Sequence, residues 1–196
     1  MRSHVEGVTR RVDTAAERLG LEEPIRDALV LAARLHDSGK FDPRFQAWMN
    51  GGTPPPEDVL LAKSGRAQGT VEDRRARVLA GWPEGMRHEL WSAAFADAVG
   101  IGEGWQERDL IGYLIAVHHG QHRPFYDNHP DTEPTVVEAK WEGNSLRLES
   151  NARLPWTEHA RRFAALNRRF DPWKLAALEA ILVLSDRAVS AEEQGA

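Results

Sequence analysis

The chain has 196 residues, enough for one domain with a sizeable core, and its 25 basic and 30 acidic side chains leave a formal net charge of −5. Any contact with nucleic acid would therefore have to use local basic patches, and the absence of cysteine excludes disulfides and thiolate metal sites. No secretory signal pattern and no apolar run of about 18 residues is present, so we expect a cytoplasmic protein without a membrane partner.

The spacing of hydrophobic residues predicts a mostly α-helical chain, folded as a compact helical bundle. A glycine- and proline-rich break at 51–56 leads into a polar stretch, to about residue 82, for which we expect loop with weak helix. Alternating apolar and charged residues predict a small β-hairpin insertion near 136–149. The predicted helices cover residues 4–19, a segment from Pro24 to Ser38-Gly39, 44–49, 86–99, 106–119, 156–169 and 173–193.

The second predicted helix ends in a histidine–aspartate pair. His36 follows Ala32 by four positions and Leu29 by seven, so it shares their inward face. Asp37 falls in the last turn, where a carboxylate opposes the helix dipole, and Gly39 suits the left-handed residue that ends a helix. A nearby cation should compensate Asp37: a lysine three residues on, a bound metal ion, or both. The pair is therefore predicted to be the hub of a metal site.

Other predicted helices also carry an imidazole or a carboxylate on the apolar face. Burial of such groups without partners costs several kcal/mol, and one shared metal centre would satisfy them all. Nitrogen and oxygen ligands without sulfur suit Mn²⁺, Fe²⁺, Co²⁺, Ni²⁺ or Zn²⁺. For any single histidine, His159 above all, a hydrogen-bonded core role is the simpler alternative. The inward-facing candidates are His4, His36, His88, His118, His119 and Asp186.

Six short motifs occur in a fixed order along the chain. They are Ser3-His4, Leu35-His36-Asp37-Ser38-Gly39-Lys40, Asp42-Pro43-Arg44-Phe45-Gln46, Arg87-His88-Glu89, His118-His119-Gly120 and Ser185-Asp186-Arg187-Ala188. This order resembles the HD superfamily of metal-dependent phosphohydrolases, and more narrowly the HD nuclease domain of the CRISPR type I helicase-nuclease. The resemblance implies one HD nuclease domain over residues 1–196. No Gly-x-x-x-x-Gly-Lys-Ser/Thr phosphate loop is present, so the helicase motor is absent and the chain would be a separate subunit or a domain of a longer protein.

The resemblance also implies a centre of one or two divalent transition metal ions (Mn, Fe, Co, Ni or Zn). It assigns His4, His36, Asp37 and Asp186 to one ion and Asp37, His88, His118 and His119 to a second. Asp37 would bridge the two ions. Lys40 would act in catalysis by stabilising the scissile phosphate or the Asp37 carboxylate, and its simpler alternative is a solvated lysine that compensates the helix dipole.

The function implied is a metal-dependent nuclease that prefers single-stranded DNA and works with the CRISPR helicase and the RNA-guided surveillance complex. Arg74, Arg75 and Arg123 are the candidate nucleic-acid contacts, since arginines near aromatic residues suit single strands. Two alternatives stay open: an HD phosphohydrolase acting on nucleotides (a dNTPase or guanosine-tetraphosphate hydrolase), and a non-catalytic docking module of a CRISPR effector. The Phe45-Gln46 extension and the His118-His119 pair favour the nuclease over the nucleotide hydrolase. The presence of all seven candidate ligands argues against the docking module.

Overall fold

The computed structural model describes residues 2–57, 59–98, 100–125, 131–141, 144–149 and 156–195. Within these ranges the protein is mostly helical, as predicted, and none of the helices combines the length and the apolar character of a membrane span. The helices are α1 (Arg2–Arg18), α2 (Glu23–Leu35), α3 (Pro43–Met49), α4 (Val71–Ala80), α5 (His88–Ala98), α6 (Arg108–Val117) and α7 (Trp156–Gly195). A 3₁₀ turn (Ser38–Phe41) follows α2, and the two strands are β1 (Val136–Trp141) and β2 (Asn144–Glu149).

The main core forms where α1, α2, α5, α6 and α7 pack against one another. Every residue of α6 from Leu110 to Val117 is buried, because this helix contacts α2, α5 and α7. Val8, Leu29 and Leu182 reach the same cluster from α1, α2 and α7, and all three are fully buried. Burial of each such side chain stabilises the fold by roughly 1.5–3 kcal/mol. This packing fixes the helix ends on which the polar motifs lie.

Two helix boundaries follow the capping chemistry expected from the sequence. The Asp42 side chain accepts a hydrogen bond from the Arg44 backbone N–H at 2.8 Å, with Pro43 as the first residue of α3. In α7 the helical geometry breaks at Asp171 (φ 60°, ψ 162°), whose carboxylate accepts hydrogen bonds from the backbone N–H groups of Trp173 and Lys174. The break agrees with the predicted division into helices at 156–169 and 173–193.

The prediction for Gly39 was wrong. The helix ends at Leu35, and Gly39 has no left-handed conformation but lies buried in the 3₁₀ turn. A Cβ atom at this position would lie 2.1 Å from the His88 carbonyl oxygen and 2.9 Å from the Ser92 backbone nitrogen. Glycine is required here because the turn presses against the start of α5, an approach that local sequence cannot reveal.

Two further segments differ in how well the sequence predicted them. The polar stretch before residue 82 contains a ten-residue helix, α4, which begins after the Thr70 cap and is capped at its end by the left-handed Gly81 (φ 66°). The predicted hairpin is confirmed as an antiparallel pair in which Val137 faces Leu148. Its turn at 142–143 lies outside the described residues.

Candidate metal centre

The seven predicted ligands come from distant parts of the sequence and meet at one place in the bundle. His4 lies in the first turn of α1, His36 and Asp37 follow the end of α2, His88 begins α5, His118 and His119 follow α6, and Asp186 lies on α7. Three overlapping groups bring their donor atoms within 4.8 Å of one another: His4, His36 and Asp186; His36, Asp37 and His118; and His88, His118 and His119. The structure therefore places these residues as a metal centre would need them, while their role as ligands stays a prediction.

The first group is built around the Asp186 carboxylate. Its Oδ1 atom lies 3.0 Å from His4 Nε2 and 3.9 Å from His36 Nε2. Burial disfavours the ionised form, but the hydrogen bond from His4 prevails and lowers the pKa of Asp186 to about 2. Asp186 is therefore an anionic oxygen donor at neutral pH.

Asp37 lies between this group and the group of His88, His118 and His119. Its Oδ1 atom lies 3.2 Å from His88 Nε2 and 4.0 Å from His118 Nε2, whereas its Oδ2 atom lies 3.6 Å from His36 Nε2. On the far side, His119 Nε2 is 3.2 Å from His88 Nε2. One carboxylate thus directs its two oxygens toward different histidine sets, as a bridging ligand would.

The donor set fits a cation, because several buried atoms have no other partner. His36 Nδ1 donates to the Ala33 carbonyl and His118 Nδ1 to the Ile115 carbonyl, both at 2.7 Å, so each Nε2 carries a lone pair. Those two Nε2 atoms and Asp37 Oδ1 make no hydrogen bond within the described ranges. An unsatisfied buried polar atom costs roughly 1–3 kcal/mol, and a divalent transition metal ion would remove that cost at all three.

Electrostatics keep His36, His118 and His119 in the form that binds metal, whereas the hydrogen bond to Asp186 raises the pKa of His4. Burial lowers the pKa of His36, and burial together with the neighbouring His36 and His119 holds the pKa of His118 well below its ordinary range. Burial and His88 lower the pKa of His119 to about 4. Neutral imidazoles are the ligand form, so metal binding at these positions requires little proton release at neutral pH.

Lys40 and the motif that follows it form the wall of the centre next to Asp37. Lys40 Nζ donates to Asp37 Oδ2 at 2.7 Å, so this lysine provides the compensating cation that the sequence required. Gln46 donates to the Lys40 carbonyl at 2.7 Å and exchanges hydrogen bonds with the backbone of Leu61. Phe45 packs against the His88 ring, with centroids 5.6 Å apart. The Phe45-Gln46 extension thus holds the Lys40 turn and one histidine in place.

Two carboxylates in contact with the centre were missed by sequence reasoning. Glu89 Oε2 lies 3.5 Å from His88 Nδ1, and Glu193 Oε2 lies 3.2 Å from His4 Nδ1. Glu89 has a local signal, because it is an acidic residue directly after a candidate ligand at the start of a predicted helix. Glu193 has none, since 189 residues separate it from His4.

A cavity of about 1020 Å³ opens on the centre. His4, His88, His119 and Asp186 line it together with Phe45, Trp48, Met49 and Met86. Its basic lining residues are Lys40, Lys63, Arg66, Arg74, Arg77 and Arg87, against two acidic ones, Asp73 and Asp186. Basic side chains thus outnumber acidic ones in the lining of the cavity, although the net charge of the chain is negative.

The three arginines predicted to contact nucleic acid occupy different places. Arg74 lines the cavity, whereas its exposed neighbour Arg75 does not. Arg123 is paired with Glu179 at 3.2 Å and donates to the Gly120 carbonyl at 3.0 Å. His159 is fully buried and donates to the backbone carbonyl of the residue at 122, which agrees with its core alternative.

Adjoining histidine–carboxylate groups on a helical bundle, with a histidine–aspartate doublet between them, define an HD-type domain. A family model described as "Cas3, HD domain" matches residues 2–194, and the chain belongs to this family. The family confirms the resemblance and the helical HD fold, and it associates the chain with CRISPR and with the HD hydrolases. No curated protein and no solved structure is significantly similar to the chain.

Proposed function

We propose that the chain is a metal-dependent nuclease domain that cleaves single-stranded DNA in type I CRISPR interference, in the cytoplasm. Its partners would be a CRISPR helicase and the RNA-guided surveillance complex, and residues 1–196 would act as one nuclease domain. Family membership supports the reaction class. The observation that carries the proposal is the opening of two ligand groups onto one basic cavity with an aromatic wall.

We assign the seven clustered histidines and aspartates as ligands of one or two divalent transition metal ions. Such ions, when bound, neutralise charge on a scissile phosphate and lower the pKa of a coordinated water. An imidazole-rich set favours Mn, Fe, Co, Ni or Zn over Mg²⁺, which prefers oxygen ligands. The chain's own contribution is to keep His36 and His118 neutral and Asp37 ionised. Burial disfavours a charge on the two imidazoles, and the Lys40 ammonium group holds the pKa of the buried Asp37 carboxyl well below its usual range.

We assign Lys40 a role at the phosphate. Its ammonium group touches Asp37 Oδ2 and its side chain lines the cavity, with 12% of the side chain exposed. A phosphodiester that reaches the centre would meet this charge first on the side of Asp37. Lys40 would then orient the substrate and hold Asp37 in its bridging position at the same time.

The cavity favours a strand over a mononucleotide as the substrate. Its volume is at the upper limit of the roughly 300–1,000 Å³ typical of small-molecule sites. Arg74 makes no ion pair with any residue that the structure describes, so its charge is available for phosphate. The half-buried Trp48 ring stacks on Trp82 at 6.5 Å and carries the Arg77 guanidinium over its face at 5.2 Å. Cationic and aromatic groups side by side suit the phosphates and unpaired bases of a single strand.

The test is a cleavage assay on metal-stripped protein. Circular single-stranded DNA, a circular duplex and a panel of nucleotides are each titrated with Mn²⁺, Co²⁺, Ni²⁺, Zn²⁺ and Mg²⁺. We expect cutting of the single-stranded circle with a transition metal ion. Hydrolysis of nucleotides without DNA cleavage would favour the nucleotide hydrolase, and no hydrolysis with any metal would favour the docking module.

Asp37→Ala and Glu107→Ala are the matched variants for this assay. Glu107 is also a buried carboxylate, but it pairs with Arg169 and precedes α6, about 16 Å along the helix axis from His118. Loss of activity in Asp37→Ala alone would locate the reaction at the centre. Equal activity in both variants would contradict the proposal.

A further inference from the structure

A histidine binds metal through one ring nitrogen only if its proton is held on the other. In His36 and His118 this is done by the backbone. Each follows the last residue of a helix, α2 or α6, and its Nδ1 donates to the carbonyl three residues earlier, at 2.7 Å. The free carbonyls at a helix C-terminus are available for this hydrogen bond. Both Nε2 atoms are thereby left to face the centre.

His4 and His88 lack that arrangement because they lie at the starts of helices. His4 is in the first turn of α1 and His88 is the first residue of α5, where the helix presents N–H groups rather than free carbonyls. Their Nε2 atoms nevertheless face the centre, at 3.0 Å from Asp186 Oδ1 and 3.2 Å from Asp37 Oδ1 respectively. An external acceptor must therefore hold the Nδ1 proton.

In both cases a glutamate occupies that position. Glu193 Oε2 lies 3.2 Å from His4 Nδ1, and Glu89 Oε2 lies 3.5 Å from His88 Nδ1. The second distance is slightly longer than a hydrogen bond, and a few tenths of an ångström of ring movement would close it. Glu89 Oε2 is buried and has no hydrogen bond in the described ranges, so His88 is the donor that would satisfy it.

A cation that lines the cavity holds each glutamate from the outside. Arg87 donates to Glu89 Oε1 at 2.8 Å, and Lys63 Nζ donates to Glu193 Oε2 at 3.0 Å. The two arrangements share the same order: cation, carboxylate, histidine, centre. They differ in burial, since the Glu89 side chain is fully buried and that of Glu193 is 34% exposed.

We propose that Glu89 and Glu193 are positioning residues that hold the proton of His88 and of His4 on Nδ1 and aim each Nε2 at the metal centre. The inference rests on the proposed centre but not on nuclease activity. Outer partners of this kind typically change metal affinity by about 10–100-fold when they are removed. Among the candidate ligands, each glutamate should act on its own histidine only; Glu89 also pairs with His122 at 3.2 Å, which is not a ligand of the proposed centre.

The first test reads the tautomers in the wild-type chain loaded with diamagnetic Zn²⁺, because without a cation His4 Nε2 donates to Asp186 Oδ1 at 3.0 Å. Two-bond ¹H–¹⁵N correlation spectra of ¹⁵N-histidine-labelled protein at neutral pH show which ring nitrogen carries the proton. We expect Nδ1–H in His4 and His88, as in His36 and His118. Protonation of His4 and His88 on Nε2 would overturn the proposal, without the need for any variant.

The second test uses Glu89→Ala and Glu193→Ala. Each should change the tautomer of its own histidine and weaken Mn²⁺ binding at one position by about 10–100-fold in calorimetric titration. The matched controls are Glu107→Ala, which removes a buried carboxylate paired with Arg169, and Glu192→Ala, which removes an exposed one paired with Arg11. Both controls should keep wild-type tautomers and affinity.

The outcomes separate this inference from the proposed function. Unchanged tautomers and Mn²⁺ affinity in both glutamate variants would refute the positioning role even if the chain cleaves DNA. Correct tautomers with the expected affinity losses would sustain the role even if the chain cleaves nothing. If circular dichroism shows that Glu89→Ala does not fold, the positioning role is decided by the tautomers of the wild-type chain and by Glu193→Ala.

Discussion

Replacement of Asp37 by alanine should be the most damaging single substitution in the centre. Its Oδ1 atom faces His88 at 3.2 Å and its Oδ2 atom faces His36 at 3.6 Å, so the carboxylate belongs to both sides. A neutral imidazole offers one lone pair to one ion and cannot take over that role. We therefore expect Asp37→Ala to lose metal from both positions and to lose DNA cleavage.

The size of the effect is judged against the hydrogen-bond partners of metal ligands, whose removal typically lowers metal affinity or activity by about 10–100-fold. Loss of a ligand shared by the two ion positions should lower the cleavage rate more than about 100-fold, which corresponds to more than about 2.7 kcal/mol of transition-state stabilisation. The cost to folding should stay below the roughly 3–5 kcal/mol of breaking a buried ion pair. Lys40, the partner left behind, lines the cavity and can turn its ammonium group to water.

The assay combines metal stoichiometry by elemental analysis, cleavage of circular single-stranded DNA, and circular dichroism as the folding control. His119→Ala is the comparison variant. His119 occurs in one ligand group only, with its Nε2 3.2 Å from that of His88, so this variant should mainly deplete one position and keep weak activity at high metal concentration. If a folded Asp37→Ala cuts at the wild-type rate, the catalytic assignment is wrong and the docking module becomes the preferred function.

Four further predictions follow from the site. Purified protein should contain Mn, Fe, Co, Ni or Zn by elemental analysis, and activity with Mg²⁺ alone would contradict the imidazole-rich centre. Gly39→Ala should destabilise the chain by about 2 kcal/mol or more in urea denaturation, because its Cβ would lie 2.1 Å from the His88 carbonyl; unchanged stability would mean that the turn is not packed against α5. Arg74→Ala should weaken the binding of single-stranded DNA and lower the slope of log affinity against log salt concentration by about 1, whereas Arg75→Ala should do neither. Equal effects of the two substitutions would show that the strand does not bind in the cavity. Burial lowers the pKa of His118 in the folded state, so the contribution of the neutral imidazole to stability is complete above about pH 6.5 and is lost as the pH falls. The thermal midpoint of the metal-free protein should therefore drop between about pH 7 and pH 5. The drop should be smaller in His118→Gln.

Periodicity predicted those parts of the site that depend on one helix at a time. His36 could be placed inward from Ala32 and Leu29 alone, because side chains four and seven positions apart share a helix face. The 3₁₀ turn after α2 and the need for glycine at position 39 could not be predicted in this way. They arise from the approach of a segment about 50 residues further along, where Ser92 Oγ accepts a hydrogen bond from the Gly39 N–H at 2.7 Å. Local sequence carries no record of that contact.

The carboxylates behind the ligand histidines, Glu89 and Glu193, were not predicted from the sequence either, but a physical rule states where such partners are needed. A ligand histidine just past the end of a helix, such as His118, finds its Nδ1 acceptor in the backbone of that helix. A ligand histidine at the start of a helix, such as His88, must find its acceptor elsewhere, because the free backbone groups there are donors. Sequence alone can therefore state that His4 and His88 each need a carboxylate or carbonyl partner. Only the fold identifies Glu193 as one of them, because α7 brings its last turns against the first turn of α1.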